Sequence, residues 1–252
     1  MTSAGSPARS PLTTGTDPRS PLTTGTDPRS PLTTGTDPRS PRDTVEATRS
    51  SYDTVAVDYA SLLADELADK PLDRAVLAVF ASYAAAAGGP VLDAGCGPGR
   101  VAALLRDLGV PASGVDLSPG MVAEARRRHP DLRFEVGTMT ALDAADGSLG
   151  GVLAWYSLVH TPPEELPRFL AEFHRVLAPG GPLLLAFKAG DERVRLERAY
   201  GHRVDLDVYR FSPARVARLL EAAGFEGVAG LVRAADATEA TPQAFLLARR
   251  GA

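Results

Sequence analysis

The sequence contains only one cysteine, Cys96, among its 252 residues. An intramolecular disulfide is therefore excluded, and a single thiol fits the reducing cytosol. No apolar run approaches the ~18 residues that a membrane-spanning helix needs. The N-terminus also lacks the apolar segment of a secretory signal. From these absences we expect a cytoplasmic protein with no membrane partner.

An excess of positive charge is missing as well. Lys and Arg total 27 against 31 for Asp and Glu, which gives a formal net charge of −4. Because nucleic acids attract basic surfaces, this balance argues against a nucleic-acid partner. No His, Cys or acidic residues have the spacing of metal ligands, so we expect no metal site. What remains is an ordinary globular composition, 44% hydrophobic and 23% charged.

The first forty residues contain an unchanged tandem repeat. The segment SPLTTGTDPR occupies residues 10–19, 20–29 and 30–39. Each unit has one leucine, so it cannot bury enough apolar surface to offset the loss of chain entropy. Solenoid repeats are longer, at roughly 20–50 residues. The pattern therefore predicts a disordered tail over 1–42 and a single domain over 43–252.

The rest of the chain alternates helical and strand patterns at short spacing. Residues 43–87 have a helical pattern that Gly88-Gly89-Pro90 ends. This alternation predicts an α/β sandwich with a mostly parallel sheet. Seven apolar runs have the pattern of strands: residues 91–94, 112–117, 132–136, 151–156, 183–187, 228–232 and 244–248.

Residues 190–211 do not fit the alternation. They hold ten charged residues and one strand-like stretch, 202–209. The segment follows the fifth strand, at the carboxyl edge of the sheet, where α/β proteins bind ligands. We therefore expect an insertion on the substrate side of the sheet.

The most informative motif is the glycine loop Asp93-x-Gly95-x-Gly97-x-Gly99, between the first strand and the next helix. Its glycines let a ligand approach bare backbone, and N–H groups at the helix start face the ligand. No Gly-Lys-Ser/Thr follows, which excludes a Walker phosphate loop. Read from Gly97, the loop still satisfies the nicotinamide-dinucleotide fingerprint, with Ala102 in its last position.

Two acidic residues near the loop favour a different ligand. The charge of Asp93 would repel a pyrophosphate and suits a cationic amine. Asp116 ends the second strand, the usual place for an acid that accepts hydrogen bonds from ribose hydroxyls. Together they favour a nucleoside that carries an ammonium group and no phosphate.

At this point the sequence resembles the class I S-adenosylmethionine-dependent methyltransferases, particularly the small type 11 group. The segments VLDAGCGPG at 91–99 and GVDLSPGM at 114–121 are similar to the first two motifs of that family. Further similarity at 153–160, at 177–185 and in the Tyr52–Tyr59 pattern extends the resemblance over about residues 52–248.

The resemblance implies a Rossmann-like three-layer α/β sandwich with a seven-stranded sheet, and S-adenosyl-L-methionine as cofactor. Residues 43–87 would be N-terminal lid helices. Asp93, Gly95 and Gly97 would line the methionine part, and Asp116 would hold the ribose. The full predicted cofactor-binding set is Asp93, Gly95, Cys96, Gly97, Gly99, Asp116, Leu117, Met121, Thr138, Met139, Trp155, Tyr156, Tyr52 and Tyr59.

His160 is the one histidine beside an apparent site element. A general base that titrates near neutral pH would fit this position. The alternative is a structural histidine that begins the Thr161-Pro162-Pro163 turn.

By resemblance, the function is direct displacement of the sulfonium methyl group onto a small-molecule acceptor. Such a reaction mainly requires alignment of the acceptor and exclusion of water. Residues 155–158 lack the Asn/Asp-Pro-Pro-Tyr segment of amino-directed nucleic-acid methyltransferases. Three alternatives stay open: a protein or tRNA methyltransferase that uses Arg126–Arg128, a nicotinamide oxidoreductase, and a non-catalytic adenosylmethionine-binding module. The sequence identifies neither the acceptor nor the oligomeric state.

Overall fold

A computed structural model describes residues 40–251. The three repeats and nearly all of the predicted tail lie outside the described residues. The first helix begins at Pro41, inside the predicted tail, because Ser40 and Pro41 form a good helix start. The Ser40 hydroxyl accepts a hydrogen bond from the Asp43 N–H. The helical region therefore begins earlier than the predicted boundary at residue 43.

The described region contains six α-helices, one short 3-10 helix and nine strands. The helices are α1 (Pro41–Leu62), α2 (Pro71–Ala87), α3 (Arg100–Asp107), α4 (Pro119–Arg128), α5 (Leu166–Val176) and α6 (Pro213–Ala222), with the 3-10 turn at Leu158–His160. The strands are β1 (Val91–Ala94), β2 (Ala112–Asp116), β3 (Arg133–Val136), β4 (Gly151–Trp155), β5 (Pro182–Lys188), β6 (Arg193–Ala199), β7 (His202–Tyr209), β8 (Phe225–Arg233) and β9 (Gln243–Arg250). No helix within residues 40–251 has the length and apolar character to cross a bilayer.

Seven of the strands form one twisted sheet in the order β3-β2-β1-β4-β5-β9-β8. The first five are parallel, and β9 runs antiparallel between β5 and β8. The prediction of a mostly parallel seven-stranded sheet is thus confirmed. Because the antiparallel β9 lies between β5 and β8, this order differs from the 3-2-1-4-5-6 order of dinucleotide-binding folds. The chain order reverses between β1 and β4, where a crevice opens at the carboxyl edge.

Helices cover both faces of the sheet, which makes three layers. Val152 and Ala154 of β4 pack with α5 and α6 on one face. Leu153 and Trp155 of the same strand pack with α2 and α3 on the other. This alternation follows from the two-residue period of a strand. Because β4 is buried on both faces, its sequence is an unbroken apolar run.

The two helices of the predicted lid, residues 43–87, pack in different places. Leu77 and Phe80 of α2 are fully buried against the sheet, so α2 belongs to the core. Only α1 crosses the carboxyl edge. An apolar face on a helix predicts burial but does not reveal which surface buries it, and this is why the two helices are indistinguishable in sequence.

The segment 190–211 forms a separate antiparallel hairpin of β6 and β7. The predicted strand at 202–209 coincides with β7, whereas β6 was not anticipated. The buried side chains of the hairpin pack against Val159 and against Tyr52 of α1. The hairpin therefore lies behind α1, and none of its residues lines the large cavity described below. The expectation of an insertion on the substrate side of the sheet stays a prediction.

Buried ion pairs join α2 to the far edge of the sheet. Arg233 donates to Asp73 through Nε at 2.8 Å and through Nη2 at 3.1 Å. It also donates to Glu239, whose carboxylate receives the Lys70 ammonium at 2.6 Å. The side chains of Asp73 and Glu239 are only 3% and 2% exposed. Charges this deeply buried need all of their partners.

We expect Asp73→Asn to lower the free energy of unfolding by about 3 kcal/mol, because Arg233 would keep only one of two buried carboxylate partners. Urea denaturation measures the change. The matched control is Asp69→Asn, an exposed position just before the same helix, which should stay within about 0.5 kcal/mol of wild type. Equal stability of the two variants would refute the structural role of the ion pair.

Candidate functional site

A cavity of about 820 Å³ opens at the carboxyl edge of β1, β2 and β4, with α1 as its roof. Its position is the crevice where the strand order reverses, the usual ligand site in this architecture. Most of the predicted site residues converge on it. Those that line it are Tyr52, Tyr59, Gly95, Gly97, Asp116, Leu117, Met121, Thr138, Met139, Trp155, Tyr156 and His160.

The glycine loop has left-handed backbone at each of its three glycines. Gly95, Gly97 and Gly99 have φ angles of 78°, 52° and 83°. A Cβ atom at Gly95 would clash with the side chain of Ser157 at the end of β4. Gly97 is different, because its nearest neighbour would be a ring carbon of Tyr59 at 3.9 Å. Its bare backbone therefore borders the cavity, as close approach of a ligand requires.

Asp116 connects the end of β2 to this loop. Its Oδ2 accepts a hydrogen bond from the Gly97 N–H at 2.8 Å, and its Oδ1 accepts one from the Ser118 N–H at 2.9 Å. Burial raises the pKa of Asp116, and the two N–H groups oppose that rise. Each carboxylate oxygen retains a second lone pair that can accept a ligand hydroxyl.

Three predicted residues of the loop segment do not line the cavity. A Cβ at Gly99 would lie 2.6 Å from Phe134 Cζ, so this glycine allows packing on β3. Cys96 is buried in an apolar cluster with Phe134. Asp93 is 1% exposed, and its pKa is raised to about 7 by burial. Neither Asp93 oxygen has a hydrogen-bond partner within residues 40–251. A direct role of Asp93 in holding a ligand amine stays a prediction.

The roof helix α1 is fastened to the start of α4. Oδ1 of Asp53 accepts hydrogen bonds from the Ser118 hydroxyl at 2.6 Å and from the Gly120 N–H at 2.9 Å. Tyr52 and Tyr59 lie two helical turns apart on one face of α1, and both line the cavity. Both tyrosines are predicted site residues. No role is predicted for Asp53, although it is the residue next to Tyr52.

His160 has a defined tautomer. Its Nδ1 lies 2.7 Å from the Asp207 carbonyl oxygen, and its Nε2 lies 2.8 Å from Oη of Tyr52. A carbonyl can only accept, so Nδ1 carries the proton and Nε2 accepts from the Tyr52 O–H. Burial lowers the pKa of His160 to about 4, so the ring is neutral at physiological pH. Both ring nitrogens therefore have a protein partner, and a proton can reach Nε2 only from the Tyr52 hydroxyl.

Tyr156 and Ser157, which follow β4 in the cavity wall, each have a buried side-chain oxygen with no hydrogen-bond partner among the described residues. Both oxygens are enclosed by protein, and the phenol of Tyr156 lies near the charges of Asp73 and Arg233. Tyr156 also has a φ of 56°, which is unfavourable for a side chain of its size. Such strain is concentrated at functional sites.

The outer part of the cavity was not anticipated. Its walls come from the first two turns of α1 and from the segment that leads into α5. The lining residues there include Arg42, Thr44, Val45, Thr48, Pro162, Glu165, Arg168 and Phe169. None belongs to a local motif, because the wall exists only where α1 crosses the start of α5. No signal in a single sequence could have revealed it.

Comparison with known families agrees with this geometry. Residues 91–181, which run from β1 to the turn before β5, match the family model described as a methyltransferase domain. The match includes the glycine loop, Asp116 and the strained end of β4. It excludes α1 and the β6–β7 hairpin.

Curated relatives match over a similar central region. The chain is 40% identical over 111 residues to a demethylmenaquinone methyltransferase of Beutenbergia cavernae, covering 44% of this chain and 45% of that protein. It is 34% identical over 110 residues to a malonyl-[acyl-carrier protein] O-methyltransferase of Enterobacter lignolyticus, covering 44% and 43%. The chain thus spans less than half the length of these relatives.

Solved structures share the fold over a longer stretch. A 1,6-didemethyltoxoflavin-N1-methyltransferase of Burkholderia thailandensis has a TM-score of 0.68 and 23% identity, over 86% of this chain and 93% of that chain. A magnesium protoporphyrin IX methyltransferase of Synechocystis has a TM-score of 0.62 and 18% identity, over 86% and 100%. These likenesses extend the shared architecture beyond the central region. Residues 91–181 thus resemble a methyltransferase domain in sequence, and the sheet order and glycine loop of the described region share the fold of these solved methyltransferases.

Proposed function

We propose that this protein transfers the methyl group of S-adenosyl-L-methionine to a small-molecule acceptor. The observation that carries the proposal is the convergence of Gly97, Asp116 and the tyrosines of α1 on one cavity. The matched relatives include a demethylmenaquinone, a malonyl-[acyl-carrier protein] and a 1,6-didemethyltoxoflavin methyltransferase, and they support the same class of reaction. The acceptor of this chain is a matter for experiment.

The residues present fit the proposed cofactor. The open backbone at Gly97 suits the close approach of an amino-acid moiety. The free lone pairs of Asp116 suit ribose hydroxyls. Leu117 and Met121 supply apolar walls for a purine ring.

When bound, the cofactor supplies a methyl group on a cationic sulfur, which is a good leaving group. The protein must then hold the acceptor in line and receive its proton. The Tyr52 O–H donates to Nε2 of His160, so Oη of Tyr52 can accept a hydrogen bond from an acceptor O–H or N–H. As Oη takes that proton, the phenol proton moves to Nε2. The Asp207 carbonyl stabilises the resulting imidazolium.

The size of the cavity favours a small acceptor. Ligand pockets span about 300–1,000 Å³, and this one lies near the upper end at about 820 Å³. It therefore has room for a second molecule beside a nucleoside. Arg42, Arg168 and Phe169 border this extra space.

The alternative of a tRNA or protein substrate has little support from the basic run on α4. Arg126 donates to the Phe134 carbonyl oxygen, and Arg127 and Arg128 both donate to Glu124. These contacts occupy the guanidinium groups within their own surface. The run is therefore a helix end whose guanidinium groups have partners on α4 and β3, and it does not by itself identify a polyanion-binding surface.

We expect Asp116→Asn to weaken binding of S-adenosylhomocysteine by about 10- to 150-fold, because a hydrogen bond to a charged group is worth about 1.5–3 kcal/mol. Isothermal titration calorimetry on the folded variants measures this. The matched control is Asp107→Asn, an exposed aspartate on α3 that pairs with Arg106, and it should bind as wild type does.

Failure of the wild-type protein to bind S-adenosylhomocysteine would refute the cofactor assignment. Protection by a nicotinamide dinucleotide in that case would support the oxidoreductase alternative. Tight binding without transfer to any acceptor in a screen would instead favour a non-catalytic binding module.

The tautomer of His160 predicts a specific pH dependence of stability. Its pKa is about 4 in the folded protein, below its ordinary value of 6.5. The unfolded chain therefore binds the proton more readily, and His160 destabilises the fold as pH falls from about 6.5 to about 4. We expect the free energy of unfolding of His160→Asn to vary less with pH in this window. The difference in slope is up to about 1.4 kcal/mol per pH unit, the value for one proton.

Urea denaturation at half-unit pH intervals tests this expectation. Tyr52→Phe is the control, because it keeps the buried imidazole and should keep the dependence. Identical pH profiles for wild type and His160→Asn would show that burial does not hold His160 neutral in this window.

A further inference from the structure

The tip of the β6–β7 hairpin has an unusual residue. The two strands pair at Ala199 and His202, so the loop between them is Tyr200-Gly201. Both loop residues are left-handed, with φ of 51° and 82°. A two-residue loop of this kind strongly prefers Asn-Gly, and an aromatic residue is sterically unfavourable in its first position. This turn therefore contains a residue that its backbone geometry disfavours.

The side chain of Tyr200 lies against the roof of the cavity. Its ring packs edge-on against Tyr59, with ring centroids 4.9 Å apart and an interplanar angle of 70°. It shares a small apolar cluster with Val55, Ala56 and Met121. Tyr200 does not line the cavity, whereas Tyr59 does and lies beside Gly97. Any effect of Tyr200 on a ligand must therefore act through a neighbour that lines the cavity, and Tyr59 is the neighbour that its ring packs against.

Polar contacts hold the same stretch of α1 to the hairpin. Nε2 of His202 lies 2.6 Å from the carboxylate of Asp58, which directly precedes Tyr59. The Asp205 N–H donates to the Ser51 hydroxyl at 3.0 Å. The ring of Tyr52 also packs edge-on against Tyr59, with ring centroids 5.9 Å apart. The hairpin thus grips α1 along the turns that carry both cavity tyrosines.

We propose that Tyr200 is a positioning residue that fixes Tyr59 over the glycine loop and so prolongs the residence of the cofactor. The inference rests on the function proposed above. It explains why the hairpin packs behind α1 and why an unfavourable residue occupies its turn. A purely structural tyrosine would fill apolar space without affecting the ligand.

The key variant is Tyr200→Asn, which removes the ring and installs the dipeptide that this turn favours. We expect about tenfold weaker binding of S-adenosylhomocysteine, expressed mainly as faster dissociation. Tyr200→Phe keeps the edge-on ring contact and should bind within about twofold of wild type. Calorimetry gives the affinity, and a stopped-flow chase gives the dissociation rate.

Controls separate positioning from simple destabilisation. Glu197→Ala changes an exposed residue of the same hairpin and should leave both constants unchanged. Thermal unfolding identifies any variant that is not folded at the assay temperature. If Tyr200→Asn does not fold, Tyr200→Leu retains apolar bulk without the ring and is expected to show the same acceleration of dissociation.

The outcomes distinguish the two proposals. The positioning role alone is overturned if the wild type binds S-adenosylhomocysteine and folded Tyr200→Asn or Tyr200→Leu binds it with the same affinity and dissociation rate. Absence of binding by the wild type overturns the cofactor assignment, and the role of Tyr200 falls with it. Loss of affinity in Tyr200→Phe equal to that in Tyr200→Asn would also contradict the ring contact.

Discussion

The carboxylate of Asp116 holds the parts of the site together. One oxygen accepts from Gly97 in the glycine loop, and the other accepts from Ser118 at the start of α4. The hydroxyl of Ser118 donates in turn to Asp53 on the roof helix. A single chain of hydrogen bonds therefore runs from the sheet to the roof. In a buried setting each of these bonds is costly to break, so the three segments keep their spacing.

The roof helix is held from two sides by different forces. On the α4 side the contacts are hydrogen bonds to Asp53. On the hairpin side the contacts include an aromatic cluster of Tyr52, Tyr59 and Tyr200. Tyr156 and Tyr200 are the non-glycine residues with positive φ in the described region, and both are tyrosines near the cavity. Backbone strain at these two positions places aromatic rings where regular structure would not.

Local sequence was sufficient for the elements and for the inner half of the site. The glycine loop follows β1 directly, and Asp116 ends β2, so topology alone brings them together at the carboxyl edge. Tyr52 and Tyr59 share a helix face by spacing alone. The predictions for α2 and for the hairpin were less successful. An amphipathic pattern requires a buried face, but its partner is chosen by packing between segments far apart in sequence.

The sequence by itself determined the alternating architecture, the glycine loop, the acid at the end of β2 and the resemblance to a methyltransferase domain, because each depends on neighbours within a few residues. Only the tertiary structure decided which helix forms the roof, where the hairpin packs, and which residues build the outer wall. It also decided the tautomer of His160, since its two hydrogen-bond partners come from α1 and β7. These features arise from contacts between distant segments, and such contacts leave no periodic signal in a single chain.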